Sequence, residues 1–409
     1  MPATPRSAFE AIWDELAPLG RHRGTGGYRR FAWTPEDGAL REWFAGAARA
    51  RGLDVTKDRA GNLWAWTSDP DAAVAAGRPG LVVGSHLDSV PDGGAFDGPL
   101  GVVSAFAALD LLRENGFVPA RPLGVACFSD EEGARFGVAC AGSRIITGAL
   151  SADRARALSD ADGTTMAEAM QRAGHDPDQV GPDEETLRRI GTFVELHVEQ
   201  GRALADAHEG AGAAVGVASS IWPHGRWRLD LRGRADHAGT TRLQDRDDPM
   251  LALAAVIAGA RAAAEQHGTV ATVGKVRVHP NGVNAIASEV TAWLDARGAD
   301  ADAVRAVVAA TADAGKVQAV EESWTDATAF DAGLRDRLAD LLGTDDGPVP
   351  VLATGAGHDA GILAAAGIRT AMLFVRNPTG ISHSPDEHAE TEDCEAGVRT
   401  LARVVQELA

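Results

Sequence analysis

Short apolar runs alternate with helical patterns along most of the chain. The apolar runs, each about the length of a buried strand, lie at 80–85, 122–128, 192–198, 349–353 and 369–375. Between them, apolar positions recur with helical spacing, as at 101–113 and 358–367. Strands that alternate with helices form parallel sheets covered by helices. The pattern therefore predicts an α/β fold built on a mostly parallel sheet.

Two helix starts precede the first of these strands. Ser7 and Glu10 have the spacing of a capping box before an amphipathic run. Thr34 followed by Pro35 places proline at the first position of a second helix. We therefore expect the chain to open with helices.

The pattern changes between 214 and 322. In chain order it predicts a strand, an Ala-rich helix, two strands and a second helix, at 226–232, 248–265, 270–278, 288–296 and 300–314. This succession indicates an inserted α+β domain of ferredoxin-like type. Its sheet edges favour a role as a lid or dimerisation domain, because exposed edges tend to be covered by a partner. We therefore expect a catalytic domain of residues 1–213 and 323–409 with a domain of residues 214–322 inserted in it.

The composition excludes several classes of partner. Thirty-nine basic and 58 acidic residues give a net charge of −19, which repels nucleic acid and anionic lipid surfaces. The amino-terminal segment lacks the basic and apolar regions of a signal peptide, and the apolar runs are too short to span a bilayer. Three widely spaced cysteines do not make a disulfide framework. We expect a cytoplasmic protein that binds neither nucleic acid nor membrane.

Four polar clusters, most of them at the ends of predicted strands, carry the candidate chemistry. They contain His86 with Asp88, the run Asp130-Glu131-Glu132, His197 with Glu199, and His383. Each cluster alone could be a structural His–carboxylate hydrogen bond or a solvated acidic loop. In a parallel sheet, however, the strand ends form one binding crevice. Imidazole and carboxylate ligands together suit a paired site for Zn²⁺, Mn²⁺ or Co²⁺.

The chain resembles a family of metal-dependent hydrolases that includes allantoate amidohydrolase, N-carbamoyl-L-amino-acid hydrolase and β-ureidopropionase. The matching strings, in order, are GSHLDSV, GGAFDGPLG, DEEGARF, ELHVEQG, DHAGTT, GAGHDA and GISHSP. They extend across most of the chain, so the signal is specific. The resemblance implies a zinc-peptidase-like catalytic domain and an activity on ureido or carbamoyl C–N bonds of small carboxylic acids, with release of ammonia.

The resemblance also implies a pair of divalent ions and their ligands. His86, Asp97 and His197 would hold one ion, and Asp97 would bridge to a second ion held by Glu132 and His383. The ions would be Zn²⁺, or Mn²⁺, Co²⁺ or Ni²⁺. A pair of ions bridged by a carboxylate lowers the pKa of a shared water toward about 7.

Three further residues receive catalytic roles from the resemblance. Asp88 would orient the imidazole of His86. Glu131 would be the base that takes the proton of the water and returns it to the leaving nitrogen. His237 would stabilise the developing oxyanion, reaching across from a partner subunit in a homodimer.

Five residues are expected to contact the substrate: His237, Gln200, Asn284 and Arg297 through the resemblance, and Gly357 through its position at a predicted helix start. Gln200 matches the contact to the carbamoyl end, and Asn284 and Arg297 match the carboxylate-binding positions. Arginine offers a bidentate fork to a carboxylate that lysine cannot imitate. The main-chain N–H of Gly357, at a predicted helix start, would add an anion contact. Asp236, where many relatives have Asn, and the segment 221–226 depart from the family pattern, and they bear on the choice of substrate.

Other functions remain open at this stage. An aminoacylase or dipeptidase would use the same metals on an acyl group. A non-catalytic binding protein would not need to keep Glu131. A nicotinamide-dependent dehydrogenase is suggested by Gly355, Gly357 and Ala360, which satisfy a relaxed dinucleotide fingerprint, but the acidic residue expected about 20 positions later is missing.

Overall fold

Contacts within the computed structural model divide the chain into two units. The described residues are 7–207, 212–343 and 347–409. The larger unit is Met1–Ser219 with Ala329–Ala409, and the smaller unit is Ser220–Thr328. The predicted insertion, 214–322, covers most of the smaller unit.

The elements are labelled in chain order. The described strands are β1 (Asp54–Lys57), β2 (Leu63–Trp66), β3 (Gly80–His86), β4 (Leu123–Phe128), β5 (Ile190–Val198), β6 (Val215–Ile221), β7 (His224–Arg232), β8 (Asp236–His237), β9 (Val270–His279), β10 (Ala285–Ile286), β11 (Glu289–Arg297), β12 (Ala319–Thr325), β13 (Thr328–Ala329), β14 (Val351–Thr354) and β15 (Thr370–Val375). The described α-helices are α1 (Ala8–Leu16), α2 (Pro35–Ala50), α3 (Pro70–Ala75), α4 (Pro99–Glu114), α5 (Ala141–Ile146), α6 (Ala152–Ala157), α7 (Met166–Arg172), α8 (Glu184–Arg189), α9 (Ala203–Asp206), α10 (Pro249–His267), α11 (Ala301–Gly315), α12 (Ala332–Leu342), α13 (Asp359–Ala365) and α14 (Thr391–Leu408).

The larger unit is built on a nine-stranded sheet. Its order is β1-β2-β4-β3-β5-β15-β6-β13, and β14 pairs with β6. The four central strands, β4, β3, β5 and β15, are parallel to one another. The strands on either side of them, β2 and β6, pair in the antiparallel sense. The predicted mostly parallel sheet is therefore confirmed, and the predicted apolar runs form β3, β4, β5, β14 and β15.

Helix α4 is the centre of the hydrophobic core. It packs against β3, β5 and α14, and most of its side chains are buried. Because α4 is covered on several sides, apolar residues occupy nearly every position from Leu100 to Leu112. Both predicted helix starts are also confirmed. Ser7 and Glu10 form the capping box of α1, and Thr34 caps α2.

The smaller unit contains a four-stranded antiparallel sheet in the order β12-β7-β11-β9. Taken along the chain, the two helices α10 and α11 complete a βαββαβ succession, which is the ferredoxin-like arrangement. The sequence pattern missed β12, whose central residues Glu321 and Glu322 are exposed at the sheet edge. The predicted boundary at 322 falls inside this strand, and the predicted boundary at 213 lies before β6, which belongs to the larger sheet. A lid or dimerisation role for this unit remains a prediction.

Within the described part of the chain, none of the helices combines the length and apolar character needed to cross a membrane.

Candidate metal centre

The candidate site lies at the carboxyl ends of the four central parallel strands. His86 is the last residue of β3, and His197 is the penultimate residue of β5. Glu132 lies in the loop after β4, and His383 lies in the loop after β15. Parallel strands end at the same edge of a sheet, and for this reason residues almost 300 positions apart meet there.

Asp97 lies between two groups of candidate ligands. Its Oδ1 atom is 3.1 Å from Nε2 of His197 and 3.6 Å from Nε2 of His86. Its Oδ2 atom is 3.5 Å from Nε2 of His383, which in turn is 3.6 Å from Oε2 of Glu132. The two oxygens of one carboxylate therefore face two separate sets of donors. The sequence-predicted ligands all converge on this residue.

The histidines offer the nitrogen atoms that a metal would need. His86 and His197 are fully buried, and the Nε2 atom of neither makes a well-oriented hydrogen bond among the described residues, although Oδ1 of Asp97 lies within 3.6 Å of both. Nδ1 of His86 lies 3.2 Å from the carbonyl of Asp88, and Nδ1 of His197 lies 2.8 Å from that of Val198. With Nδ1–H donating to a carbonyl, each imidazole in its neutral form would present a lone pair at Nε2.

Two groups of ligand atoms satisfy the geometry of an ion site. The candidate atoms of His86, Asp97 and His197 lie within 4.8 Å of one another, and so do those of Asp97, Glu132 and His383. Buried imidazole nitrogens that lack a well-oriented hydrogen bond, next to several buried carboxylates, are costly unless a cation joins them. The donor set of nitrogen and carboxylate oxygen fits divalent transition ions.

Asp88 organises the site through three contacts. Its Oδ1 atom is 3.4 Å from Nδ1 of His86. The same carboxylate accepts the main-chain N–H groups of Glu131 (3.2 Å) and Glu132 (3.0 Å). One side chain thus orients a candidate ligand and the loop that carries the candidate base.

The site holds an excess of buried carboxylates, and the pKa values of these groups are shifted as a result. Burial raises the pKa of Glu131 well above its ordinary value, and Asp359 adds to this effect. Burial and the charge of Asp97 raise the pKa of Glu132 to about 7. For Asp97 burial acts in the same direction, but the neighbouring histidines outweigh it and hold the pKa well below its ordinary value. Cations at this position would relieve the repulsion among the carboxylates.

Two further residues, to which the sequence pattern assigns no role, contact this site. Oε2 of Glu387 accepts the main-chain N–H groups of Phe96 (2.8 Å) and Asp97 (3.1 Å). The hydroxyl of Ser382 donates to Oδ2 of Asp97 at 3.1 Å. Glu387 comes four positions after His383, and this proximity was the only sequence signal available.

Two of the predicted substrate contacts lie in the larger unit. Nε2 of Gln200 donates to Oδ2 of Asp97 at 2.8 Å, so this side chain is at the centre of the site. Gly357 is half-buried in the loop between β14 and α13. It directly precedes His358, whose ring lies 4.5 Å from that of His197 between centroids.

The other predicted contacts lie in the smaller unit, where they form two groups. His237 pairs with Ala285 across the β8–β10 ladder, and the carbonyl of Asn284 accepts the N–H of Ala238 at 3.0 Å. His237 and Asn284 are therefore neighbours. Arg297 is the last residue of β11 and forms a two-pronged ion pair with Asp295, with bonds of 2.6 and 2.9 Å.

The register of β11 separates these two groups. Glu289 lies opposite Arg232, on the side of His237, whereas Arg297 lies opposite His224 at the other end of the strand. Eight residues of extended strand span about 26 Å. The two ends of β11, with Arg297 at one end and the β8–β10 ladder following the other, are therefore further apart than one small ligand reaches, a separation that the sequence did not reveal.

The fold and the paired ligand groups fit a metal-binding protein, and comparison with known proteins identifies the class as metal-dependent hydrolases. Residues 82–407 match the model of peptidase family M20/M25/M40. The chain is 36% identical to the N-carbamoyl-L-amino acid amidohydrolase of Geobacillus stearothermophilus over 98% of both proteins. It is 32% identical to the allantoate amidohydrolase of Escherichia coli (strain K12), over 99% of this chain and 98% of that protein.

A solved structure extends the likeness to three dimensions. An amidase of the hydantoinase/carbamoylase family from Burkholderia vietnamiensis matches with a TM-score of 0.86 and 29% identity, over 98% of this chain and 97% of that one. The chain belongs to peptidase family M20/M25/M40. Membership of a hydrolase family removes the dehydrogenase from consideration, and the relatives named as amidohydrolases support an enzyme over a non-catalytic binding protein.

Proposed function

We propose that this enzyme hydrolyses the C–N bond of a carbamoyl or ureido group in a small carboxylic acid and releases ammonia. N-carbamoyl-L-amino acids and allantoate are the leading substrates, because the relatives that match the whole chain carry these names. The observation that carries the proposal is the position of Asp97, whose two oxygens face His86 and His197 on one side and His383 on the other.

In this proposal two divalent ions occupy the site. His86, Asp97 and His197 hold one, and Asp97, Glu132 and His383 hold the other. Such a pair would supply Lewis-acid chemistry, namely a more polarised scissile carbonyl and a water of lowered pKa. The burial of His86, Asp97 and His197 excludes bulk water, which strengthens every charge interaction within the site.

Glu131 is the proposed general base. The residue is 5% exposed, and its Oε2 atom lies 3.6 Å from Nε2 of His86. Burial raises the pKa of Glu131 well above its ordinary value, so the side chain can hold a proton near neutral pH. A carboxylate with this property can take a proton from the attacking water and deliver it to the leaving nitrogen.

The remaining groups bind the substrate. Gln200 contacts the carbamoyl end, since its amide already bonds to Asp97. Arg297 binds the carboxylate of the substrate through its guanidinium fork. His237 stabilises the oxyanion, with Asn284 beside it.

The separation of His237 from Arg297 supports a homodimeric enzyme. Since one smaller unit does not offer both to one substrate, the two contacts come from different copies of the chain. The smaller unit also has an apolar surface suited to a partner. On α10, Met250, Leu251 and Ile257 are 42, 72 and 47% exposed, and β9 forms an open edge of the sheet.

A substrate screen tests the proposed activity. Enzyme loaded with Mn²⁺, Co²⁺ or Zn²⁺ is assayed for ammonia with allantoate, N-carbamoyl-α-amino acids and N-carbamoyl-β-alanine. In parallel it is assayed for free amino acid with N-acetyl amino acids and dipeptides. We expect ammonia from at least one carbamoyl or ureido acid. Turnover of only the acyl and peptide substrates would contradict the proposal and favour an aminoacylase or dipeptidase.

A complementation experiment tests the shared site. The variants Glu131→Gln and His237→Ala are each expected to be nearly inactive. If His237 acts in the site of the partner, mixed dimers of the two contain one site with both functional residues, so mixing restores activity. Mixtures that stay inactive after subunit exchange has been verified would show that each chain supplies its own His237.

A further inference from the structure

Cys140 lies directly against the proposed base. Its Sγ atom is 3.3 Å from Oε1 of Glu131, and its main-chain N–H donates to the carbonyl of the same residue at 2.5 Å. The residue is 2% exposed. Glu131 is therefore contacted twice by one residue located nine positions later in the chain.

The backbone around Cys140 holds the thiol in place. The N–H groups of Ala141 and Gly142, in the first turn of α5, donate to the carbonyls of Asp130 and Ser129 at 3.0 and 2.9 Å. With the bond from Cys140, three consecutive N–H groups of one segment bind three consecutive carbonyls of the loop that carries the base. This ladder fixes the separation between the thiol and the carboxylate.

Cys140 also has an unusual backbone conformation. Its φ and ψ of 53° and 37° lie in the left-handed region, which residues other than Gly, Asn and Asp rarely adopt. Strained residues of this kind are concentrated at functional sites. Glycine would relieve the strain here, so the presence of a thiol at this position calls for another explanation.

The two oxygens of Glu131 have different surroundings. Oε1 faces the thiol, and Oε2 faces Nε2 of His86 at 3.6 Å. We propose that Cys140 is a positioning residue, whose S–H donates to Oε1 of Glu131 and thereby turns Oε2 toward the metal ligands and the substrate. The inference rests on the proposed role of Glu131 as the base.

The thiol is in the correct protonation state to donate. Burial raises the pKa of Cys140 well above its ordinary value, and the charges of Glu131 and Asp359 raise it further. The neutral S–H form is therefore maintained at physiological pH. A thiol is a weak donor, so it can hold a carboxylate in one orientation without greatly reducing its basicity.

Three substitutions separate positioning from a purely structural role. Cys140→Ala and Cys140→Gly remove the donor, and Gly also relieves the left-handed strain, so it should fold even if Ala does not. Cys140→Ser keeps a donor. Cys394→Ala removes a buried thiol in α14 and serves as the matched control. For each variant, kcat, KM, metal content and melting temperature are measured on the metal-loaded enzyme.

We expect Cys140→Ala and Cys140→Gly to lower kcat by about ten-fold to a hundred-fold, because a small misplacement of a catalytic group has effects of this size. KM, metal content and, for Gly, the melting temperature should stay near their wild-type values. Cys140→Ser should recover much of kcat. Wild-type kcat in Ala and Gly, or a loss that follows metal content or melting temperature, would overturn the proposal.

An infrared measurement tests the contact without any substrate. The S–H stretching band of Cys140, assigned by difference against Cys140→Ser, should shift when Glu131 is changed to Ala, because its acceptor is lost. An unchanged band would refute the hydrogen bond. If the band shifts in the Glu131→Ala variant but the wild-type enzyme hydrolyses no carbamoyl or ureido acid, the proposed function is refuted and the contact between Cys140 and Glu131 still stands.

Discussion

Gly98 packs directly against the imidazole of His86. A Cβ atom at Gly98 would lie 2.4 Å from Cε1 and 2.6 Å from Nε2 of that ring, and the backbone there has a φ of +85°. The ring of a proposed metal ligand therefore occupies the space that any other side chain at position 98 would need.

Gly98→Ala should impair metal binding more than it impairs folding. The new methyl group must displace the His86 ring, so we expect loss of the ion held by His86, Asp97 and His197. Gly116→Ala is the matched control, because Gly116 has a φ of +68° and a Cβ added there would meet no atom of the described residues within 4 Å. Both variants have the backbone strain, of about 1 kcal/mol, but only Gly98→Ala has the clash. Equal metal content in the two variants, measured by elemental analysis, would contradict this account.

Glu131→Gln should separate metal binding from catalysis. The amide keeps the shape of the side chain but cannot accept and return a proton. We expect both ions to remain and kcat to fall by about 10²- to 10⁴-fold, the usual contribution of a general base. Wild-type-like turnover would exclude Glu131 as the base, and loss of the ions would make it a ligand instead.

Metal binding should release a proton from His383. Burial opposes protonation of this side chain, but Asp97 and Glu132 outweigh it and raise its pKa to about 9 in the metal-free protein. Below this pH the ion must displace the proton. The affinity of the Glu132–His383 site for its metal ion should therefore fall by about ten-fold for each pH unit below 9.

Glu132, with its pKa of about 7, should steepen that dependence at lower pH. Calorimetry in two buffers with different heats of ionisation gives the number of protons released. Between these two pKa values we expect about one proton for the second ion and none from that site in His383→Ala. Metal binding without proton release in the wild type would contradict the expected protonation of His383.

Arg297→Ala should weaken substrate binding. Loss of a two-pronged contact to a carboxylate should raise KM by about ten-fold or more, and Arg297→Lys should recover little of it. Arg228→Ala is a suitable control, because Arg228 also forms an ion pair on the sheet of the smaller unit, with Asp230. An unchanged KM for Arg297→Ala would remove Arg297 from the proposed site.

The apolar pattern was sufficient to predict the parallel sheet and a polar site at its strand ends, and the family resemblance identified His86, Asp97, Glu132, His197 and His383 as the residues that meet there. Long buried strands have a clear apolar pattern, and residues that follow parallel strands must share an edge of the sheet. The catalytic roles of these residues remain predictions. Strand β12 was not predicted, because an exposed edge strand with adjacent glutamates lacks the apolar alternation that identifies a strand.

The contacts that support Asp97 and Glu131 could not be predicted from the sequence. Glu387 binds the main chain of Asp97, which lies 290 positions earlier. Cys140, which contacts Glu131, is itself a left-handed residue at the start of a helix. Neither contact follows from periodicity, because each depends on how loops pack after the sheet has formed. The separation of His237 from Arg297 likewise appears only when the register of β11 is known.

The number of metal ions needed for activity tests the central claim most directly, because Asp97 is proposed to bind two ions at once. Chelator-treated enzyme is titrated with Mn²⁺ or Zn²⁺ while bound metal and ammonia release are measured together. We expect no activity without metal and full activity at two ions per chain. In Asp97→Ala we expect both the binding of two ions and the activity to be lost. Full activity at one ion per chain, or activity that survives complete removal of metal, would contradict the account.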